Sequence, residues 1–238
     1  VTAAAGLAHA AGARLFVDDA QYAPTHGGGG ALFGADAAAF SGHKLGAPFF
    51  TGALYVGGGL LERLRPWRVG GGTVQEVTFA GGRYRASYLG GYQGFEAGVQ
   101  NYSGLAGLAA AVARLDKAGF PAIREHVSSL VRRTASALAG VKGVRVLGRP
   151  EDLSGGSLVT IAPLRRDFSV PDFNLFLNQQ VKGRMIAVRT GRHCADLACL
   201  NSGYSDTVRV SFFAYNTPRD ADDFVAALND YLSALGAR

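Results

Sequence analysis

Cysteine is nearly absent: the chain has two, Cys194 and Cys199. Two thiols five positions apart make a poor disulfide framework, so a reducing, cytoplasmic setting is expected. Long apolar runs are lacking too. None approaches the ~20 residues of a membrane-spanning helix, so no membrane partner is expected. Charge is sparse, at 18% of residues, and no basic run is longer than Arg132-Arg133 or Arg165-Arg166. Such scattered basic residues leave no nucleic-acid footprint. No signal peptide opens the chain. Val1 is not a start methionine and a helical pattern is already under way there, so upstream residues are expected to be missing.

What is present is apolar and rich in glycine. Hydrophobic residues fill 48% of the 238 positions, Gly fills 34, and the formal charge is +6. That is enough for one large domain or two smaller ones. The positive balance suits an anionic cofactor or a carboxylate substrate.

Thr2 to Ala11 reads as a helix closed by Gly12. Arg14 to Val17, Ala37 to Phe40 and Ala53 to Val56 read as buried strands. This rhythm predicts an open α/β sheet, where ligands sit at the carboxyl ends of strands. Leu60 to Leu64 reads as a short helix, and Gly70 to Gln100 as a loop region without a period. Leu105 to Lys117 and Phe120 to Leu138 read as helices. In the second, Ile123, Val127, Leu130, Val131 and Leu138 share a face. Val144 to Leu147, Leu158 to Ile161, Met185 to Arg189 and Thr207 to Phe213 read as strands. Pro171 to Gln180 and Pro218 to Leu235 read as helices. Two domains follow: residues 1–118, and a smaller α+β unit over 119–238.

Asp18 and Gln21 stand just past the first strand. A carboxylate there is often a cap or a loop residue. Lys44 follows the second strand, within Ser41-Gly42-His43-Lys44. A lysine partly desolvated beside small residues has the lowered pKa that Schiff-base chemistry needs. Together, Asp18, Gln21 and Lys44 resemble a pyridoxal site: the ring nitrogen needs a carboxylate and the aldehyde needs an amine. Gly70-Gly71-Gly72-Thr73 is either a flexible loop or a phosphate cradle. Cys194 follows Arg189, Arg192 and His193, a setting that favours thiolate, although a free Cys is also a common buried residue. Cys199 lacks such company and reads as structural. With His193, the two thiols are too few for zinc. Arg209 lies in an alternating strand, either on the solvent face or as a carboxylate clamp. His9, His26 and His126 show no partner and read as surface.

Laid out in order, these motifs resemble class V aminotransferase-fold enzymes, and most of all the SufS-type (group II) cysteine desulfurases. The carriers are Val17 to Gln21, Phe40 to Lys44, Gly70 to Thr73, Phe95 to Gly98, Arg189 to Ala195, and Arg209 through Thr217. The resemblance implies fold type I of pyridoxal-phosphate enzymes, with residues 1–118 as the C-terminal part of the large cofactor-binding domain. It implies that Asp18 meets the pyridine nitrogen, Gln21 the ring hydroxyl, and Ser41 and His43 the phosphate. Lys44 would form the Schiff base. Thr73 would reach the phosphate held by a partner subunit of a homodimer. Arg209 would clamp the substrate carboxylate, and Cys194 would take sulfur from L-cysteine. The sulfur would pass to a SufE- or SufU-like protein for iron–sulfur cluster assembly. The alternatives are another class V reaction (selenocysteine lyase, other lyase or epimerase) or an inactive truncated chain. Departures from the pattern include Asp19, Gly94, Gln100 and Arg192, which bear on substrate choice.

Overall fold

The computed structural model of the chain describes residues 1–28, 33–179, 183, 185–204 and 206–236. It divides into two compact units, Val1–Phe120 and Pro121–Arg238.

The first unit begins with helix α1 (Thr2–Ala10), strand β1 (Phe16–Asp18) and the short helix α2 (Ala23–His26). Strands β2 (Ala37–Ser41) and β3 (Gly52–Val56) complete a three-stranded sheet in the order β1-β2-β3. β1 and β2 are parallel, with Asp18 beside Ala39, while β2 and β3 are antiparallel, with Ser41 beside Gly52. The sheet is therefore mixed. The segment between Ser41 and Gly52 is too short for a parallel crossover, so the chain must turn back. The burial expected of these strands is only partial. Ala37 and Ala38 are buried, whereas Phe16 is 58% exposed and Leu54 62%.

A clasp fixes the entry to β2. Asp36 accepts the Leu15 N–H (2.8 Å), meets His9 Nε2 (2.8 Å) and pairs with Arg14 (2.9 Å). His9 is thus partnered, contrary to the sequence reading. Its charge partner was invisible because it lies 27 positions away. His26 is also engaged, stacked on Tyr22 with ring centroids 4.0 Å apart.

After the short helix α3 (Gly58–Leu61) come β4 (Val74–Ala80) and β5 (Arg83–Tyr88), an antiparallel hairpin. This replaces the loop expected over Gly70 to Gln100. Gly81 and Gly82 turn it, with φ of 59° and 74°, as a two-residue hairpin loop requires. Both strands are exposed along their whole length. With neither face buried, no alternation of polar and apolar residues marked them. Helix α4 (Tyr102–Ala118) closes the unit, with Asn101 capping the Gly104 N–H at 3.0 Å.

The second unit opens with α5 (Phe120–Ala139), whose Ile123, Val127, Leu130, Val131 and Leu138 are buried on one face as the spacing predicts. β6 (Val144–Leu147), α6 (Pro150–Leu153), β7 (Leu158–Pro163) and α7 (Val170–Asn178) follow. The expected end of α7 at Gln180 lies outside the described residues. Then come β8 (Arg189–Gly191), α8 (Asp196–Ser202), β9 (Thr207–Ser211) and α9 (Pro218–Gly236). The sheet runs β6-β7-β9-β8 and every pair is antiparallel. Phe173, Phe224, Ile161, Leu177 and Leu228 are almost wholly buried in its core. His126, read from sequence as surface, holds the Asn216 carbonyl through Nε2 at 2.8 Å.

Two expectations here are corrected. The strand expected over Met185 to Arg189 starts only at Arg189. The apolar run before it lines a cavity of about 300 Å³ with Phe212 and Phe224, so its hydrophobicity reflects a wall and not a ladder. Helix α8 was not anticipated. None of its residues is buried, so it carries no amphipathic stripe.

Candidate functional site

In the first unit, the polar residues gather at the carboxyl ends of β1 and β2. Asp18 ends β1, and its Oδ1 accepts the Ala20 N–H at 2.9 Å. Its Oδ2 takes no bond from a described residue. The chain turns at once, the Asp19 carbonyl accepting the N–H groups of Tyr22 (3.1 Å) and Ala23 (2.9 Å). That turn places Gln21, exposed, just beyond the strand end. On the neighbouring strand, Ser41 ends β2, and Gly42–Leu45 forms a single 3-10 turn.

Lys44 sits in this turn, half-buried, with His43 exposed beside it and stacked near Phe49 (5.9 Å). Small residues make the placement possible. A Cβ on Gly42 would lie 2.2 Å from Thr51 Oγ1, and one on Gly107 would lie 2.6 Å from Pro48. Glycine at both positions lets β3 and α4 close on the lysine turn, which is held by the Gly42 N–H to Thr51 carbonyl bond of 2.8 Å.

Thr73 is engaged within its own turn. It is fully buried. Its hydroxyl donates to the Gly70 carbonyl (2.8 Å) and accepts the Gly70 N–H (3.1 Å). Its one donor is spent within the glycine turn, so reaching a phosphate requires the hydroxyl to rotate outward. The four glycine-turn residues form a closed corner here rather than an open cradle.

In the second unit, β9 alternates. Val208 and Val210 are buried in the core, and Arg209 faces the other side of the sheet. Antiparallel pairing sets Arg189 of β8 directly opposite Arg209, and Gly191 opposite Thr207. Two guanidinium groups side by side repel. In addition, Arg209 Nε is buried without a partner among the described residues. A buried, unsatisfied donor calls for an explanation.

Past β8 the chain makes a tight turn. The Ala195 N–H donates to the Arg192 carbonyl at 2.9 Å. The two corner residues, His193 and Cys194, both adopt left-handed backbone, with φ of 57° and 59°. Neither is glycine, so the turn stores strain of about 1–3 kcal/mol per residue. It presents the Cys194 side chain to solvent. Arg189 Nη2 lies 4.0 Å from Cys194 Sγ.

His193 is bound to Thr207, Nε2 to Oγ1, at 2.7 Å, and the Thr207 hydroxyl donates to the Gly191 carbonyl at 3.0 Å. That chain assigns the proton to Nε2 and leaves Nδ1 a bare acceptor, buried and unpartnered. Burial first, then the charges of Arg209 and Arg189, hold the imidazole below its usual pKa of 6.5.

Arg189 and Thr207 were not assigned roles from sequence. The period of two already placed Thr207 and Arg209 on one face, but the pairing of β8 with β9 brought Arg189 opposite. No group of three metal-ligating side chains is present among the described residues.

The aminotransferase class-V family model matches residues 1–224. The chain belongs to that family. A probable cysteine desulfurase of Vibrio cholerae serotype O1 is 33% identical over 228 residues, which is 96% of this chain and 53% of the relative. The cysteine desulfurase of Dickeya dadantii is 34% identical, again over 96% of this chain and 53% of its own length. Among solved structures, the cysteine desulfurase CsdA of Escherichia coli, an S-sulfonic acid form, superposes with a TM-score of 0.86 at 33% identity. It is matched over 98% of this chain and 55% of its own. The apo cysteine desulfurase of Thermococcus onnurineus NA1 gives a TM-score of 0.88 at 28% identity, over 98% and 56%. The chain spans about half the length of the curated relatives it matches.

Proposed function

We propose that the protein to which this chain belongs is a pyridoxal-phosphate cysteine desulfurase of the SufS type. Residues 1–118 would belong to the cofactor-binding domain and residues 119–238 would form the small domain with the cysteine loop. The observation that carries the reading is Cys194: exposed at the corner of a left-handed turn, with Arg189 at 4.0 Å from its sulfur. The cysteine desulfurase relatives support it.

The donor set at the β1 and β2 ends fits the cofactor. A carboxylate with one oxygen unengaged, a half-buried amine, a hydroxyl and an imidazole lie at or just past the carboxyl ends of two adjacent parallel strands. Pyridoxal phosphate, when bound, supplies an electron sink for the carbon bearing the substrate amine. Asp18 Oδ2 would hold the proton on the ring nitrogen. Gln21 would bond the ring hydroxyl. Ser41 Oγ and His43 would take phosphate oxygens. Lys44 Nζ would anchor the aldehyde carbon and, once released, remove the α-proton of L-cysteine.

Arg209, with its buried Nε unpaired, would bind the substrate carboxylate through parallel hydrogen bonds. Arg189 would sit beside the reacting sulfur of Cys194. The Cys194 sulfur would attack the substrate sulfur and give up its proton, the carbon–sulfur bond would break with its electron pair going to the substrate carbon, that carbon would take a proton, and alanine would leave a persulfide on Cys194. A SufE- or SufU-like acceptor would then receive that sulfur for iron–sulfur assembly, in the cytoplasm. A homodimer is supported by the first unit's exposed side chains, with Phe50 97%, Trp67 94% and Val99 92% exposed. Exposed large apolar side chains of this kind fit an interface, and Thr73 would turn toward the partner's phosphate there.

The test is alanine formation from L-cysteine by the protein with its natural upstream residues, pyridoxal phosphate and a reductant, beside Cys194→Ser. Alanine from the wild type and loss of turnover in the variant are expected. Sustained turnover without Cys194 would remove the sulfur-acceptor role.

A further inference from the structure

Cys199 has no part in the chemistry above, yet it is tied to the same turn as Cys194. The Arg192 carbonyl closes that turn by accepting the Ala195 N–H at 2.9 Å, and it also receives the Cys199 thiol at 3.6 Å. Cys194 is the third residue of the turn, so both sulfur-bearing side chains converge on its four residues. Both thiols are free, Cys194 exposed and Cys199 half-buried. Helix α8, which carries Cys199, buries none of its residues, so no core packing fixes the distance between the two.

We infer that Cys199 is a resolving thiol for a persulfide on Cys194, an inference that rests on the desulfurase reading. The Cys199 thiol attacks Sγ of Cys194. A Cys194–Cys199 disulfide bond forms and the bond from Cys194 Sγ to the outer sulfur breaks. The outer sulfur leaves as hydrosulfide, carrying the electron pair, and the Cys199 proton goes with it. The Cys199 sulfur is oxidised and the outer sulfur is reduced, while the Cys194 sulfur keeps its oxidation level, so no other oxidant is required. Hydrogen sulfide is a stronger acid than a cysteine thiol, which makes hydrosulfide the better leaving group. Arg189 beside Cys194 Sγ steadies the negative charge passing through the site. The protein then has two outlets for sulfur. With an acceptor present, the persulfide is handed on. Without one, Cys199 discharges it as free hydrosulfide and closes a disulfide that blocks Cys194 until a thiol reductant reopens it.

The experiment uses the full-length protein loaded with pyridoxal phosphate, without acceptor or reductant. L-cysteine is added in one arm and inorganic polysulfide in another, since polysulfide delivers sulfane sulfur to a thiol without cofactor chemistry. Trypsin cuts after Arg192 and Arg209, so one peptide, residues 193–209, holds both cysteines. In the wild type this peptide should lose two hydrogens, with hydrosulfide released in equal amount. In Cys199→Ser, and in Cys199→Ala as a second variant, it should instead keep one added sulfur, and hydrosulfide should fall several-fold. Disulfide in the polysulfide arm but no alanine in the L-cysteine arm would sink the desulfurase reading and leave the resolving thiol standing. A wild-type peptide that keeps its added sulfur as long as the variants do, in both arms, would overturn the inference.

Discussion

The two units of this chain are built differently. The second has a dense core, with Phe173, Phe224, Leu130, Leu138 and Ile161 among side chains less than 2% exposed. Among the described residues of the first, only Thr73 ranks with them, and the buried apolar residues are mostly alanines, such as Ala5, Ala23, Ala37 and Ala38. The first unit also carries most of the exposed large apolar side chains, from Phe49 and Trp67 to both strands of the hairpin. An isolated two-stranded hairpin is marginal in water. The difference teaches where each cluster gets its rigidity. The second unit's packed sheet can hold two arginines face to face and a strained His193–Cys194 corner. The first unit's lysine turn is held by backbone and close glycine contacts, and its surface calls for a cover.

The sharpest separation of the two comes from Lys44→Ala. Alanine formation should fall by at least about 10³-fold, while thermal unfolding stays where it was. A large drop in melting temperature would mean that the turn is structural. Phe173→Ala should do the reverse, costing about 3–5 kcal/mol in denaturant unfolding. Trp67→Ala, on the first unit's exposed face, should change folding stability by no more than about 0.5 kcal/mol but weaken self-association. Equal destabilisation by the two would erase the contrast between the units.

Arg209→Lys keeps the charge and removes the planar fork. The KM for L-cysteine should rise about 10- to 100-fold with a smaller effect on kcat. An unchanged KM would move the carboxylate contact elsewhere.

Acid should challenge the units in turn. His193 has a folded pKa below 6.5. As pH drops below that value the unfolded chain takes the proton first, so stability falls with pH there. In the first unit, the Leu15 N–H, His9 and then Arg14 hold the Asp36 carboxyl down to about 2. Its contribution is intact above the ordinary carboxylate value of 3.8 and is lost as pH falls towards about 2. His193→Gln should flatten the upper window and Asp36→Asn the lower one, in unfolding curves measured across pH. These effects are the smallest of the set.

The candidate site residues could be singled out in sequence because their signals are local. The Ser41-Gly42-His43-Lys44 turn follows an apolar run, and Cys194 has three cationic or imidazole neighbours within five positions. The helices α5 and α9 were legible because their buried faces repeat every three to four residues. The hairpin β4–β5 was not, since neither of its faces is buried. The pairing of Arg189 with Arg209 was not either, because cross-strand register is not written in either strand alone. Nor was the left-handed corner at His193 and Cys194, which breaks the residue preferences of such turns. The inward bond of Thr73 to Gly70 was equally hidden, because a glycine run with a threonine serves a cradle or a corner equally well.

The most direct test of the central claim is where the sulfur goes. The full-length protein with pyridoxal phosphate is mixed briefly with L-cysteine and its thiols are then trapped by alkylation. Peptide 193–209 is weighed and fragmented. One added sulfur should appear, first on Cys194, in step with alanine. Alanine formed with no sulfur ever borne by Cys194 would contradict it.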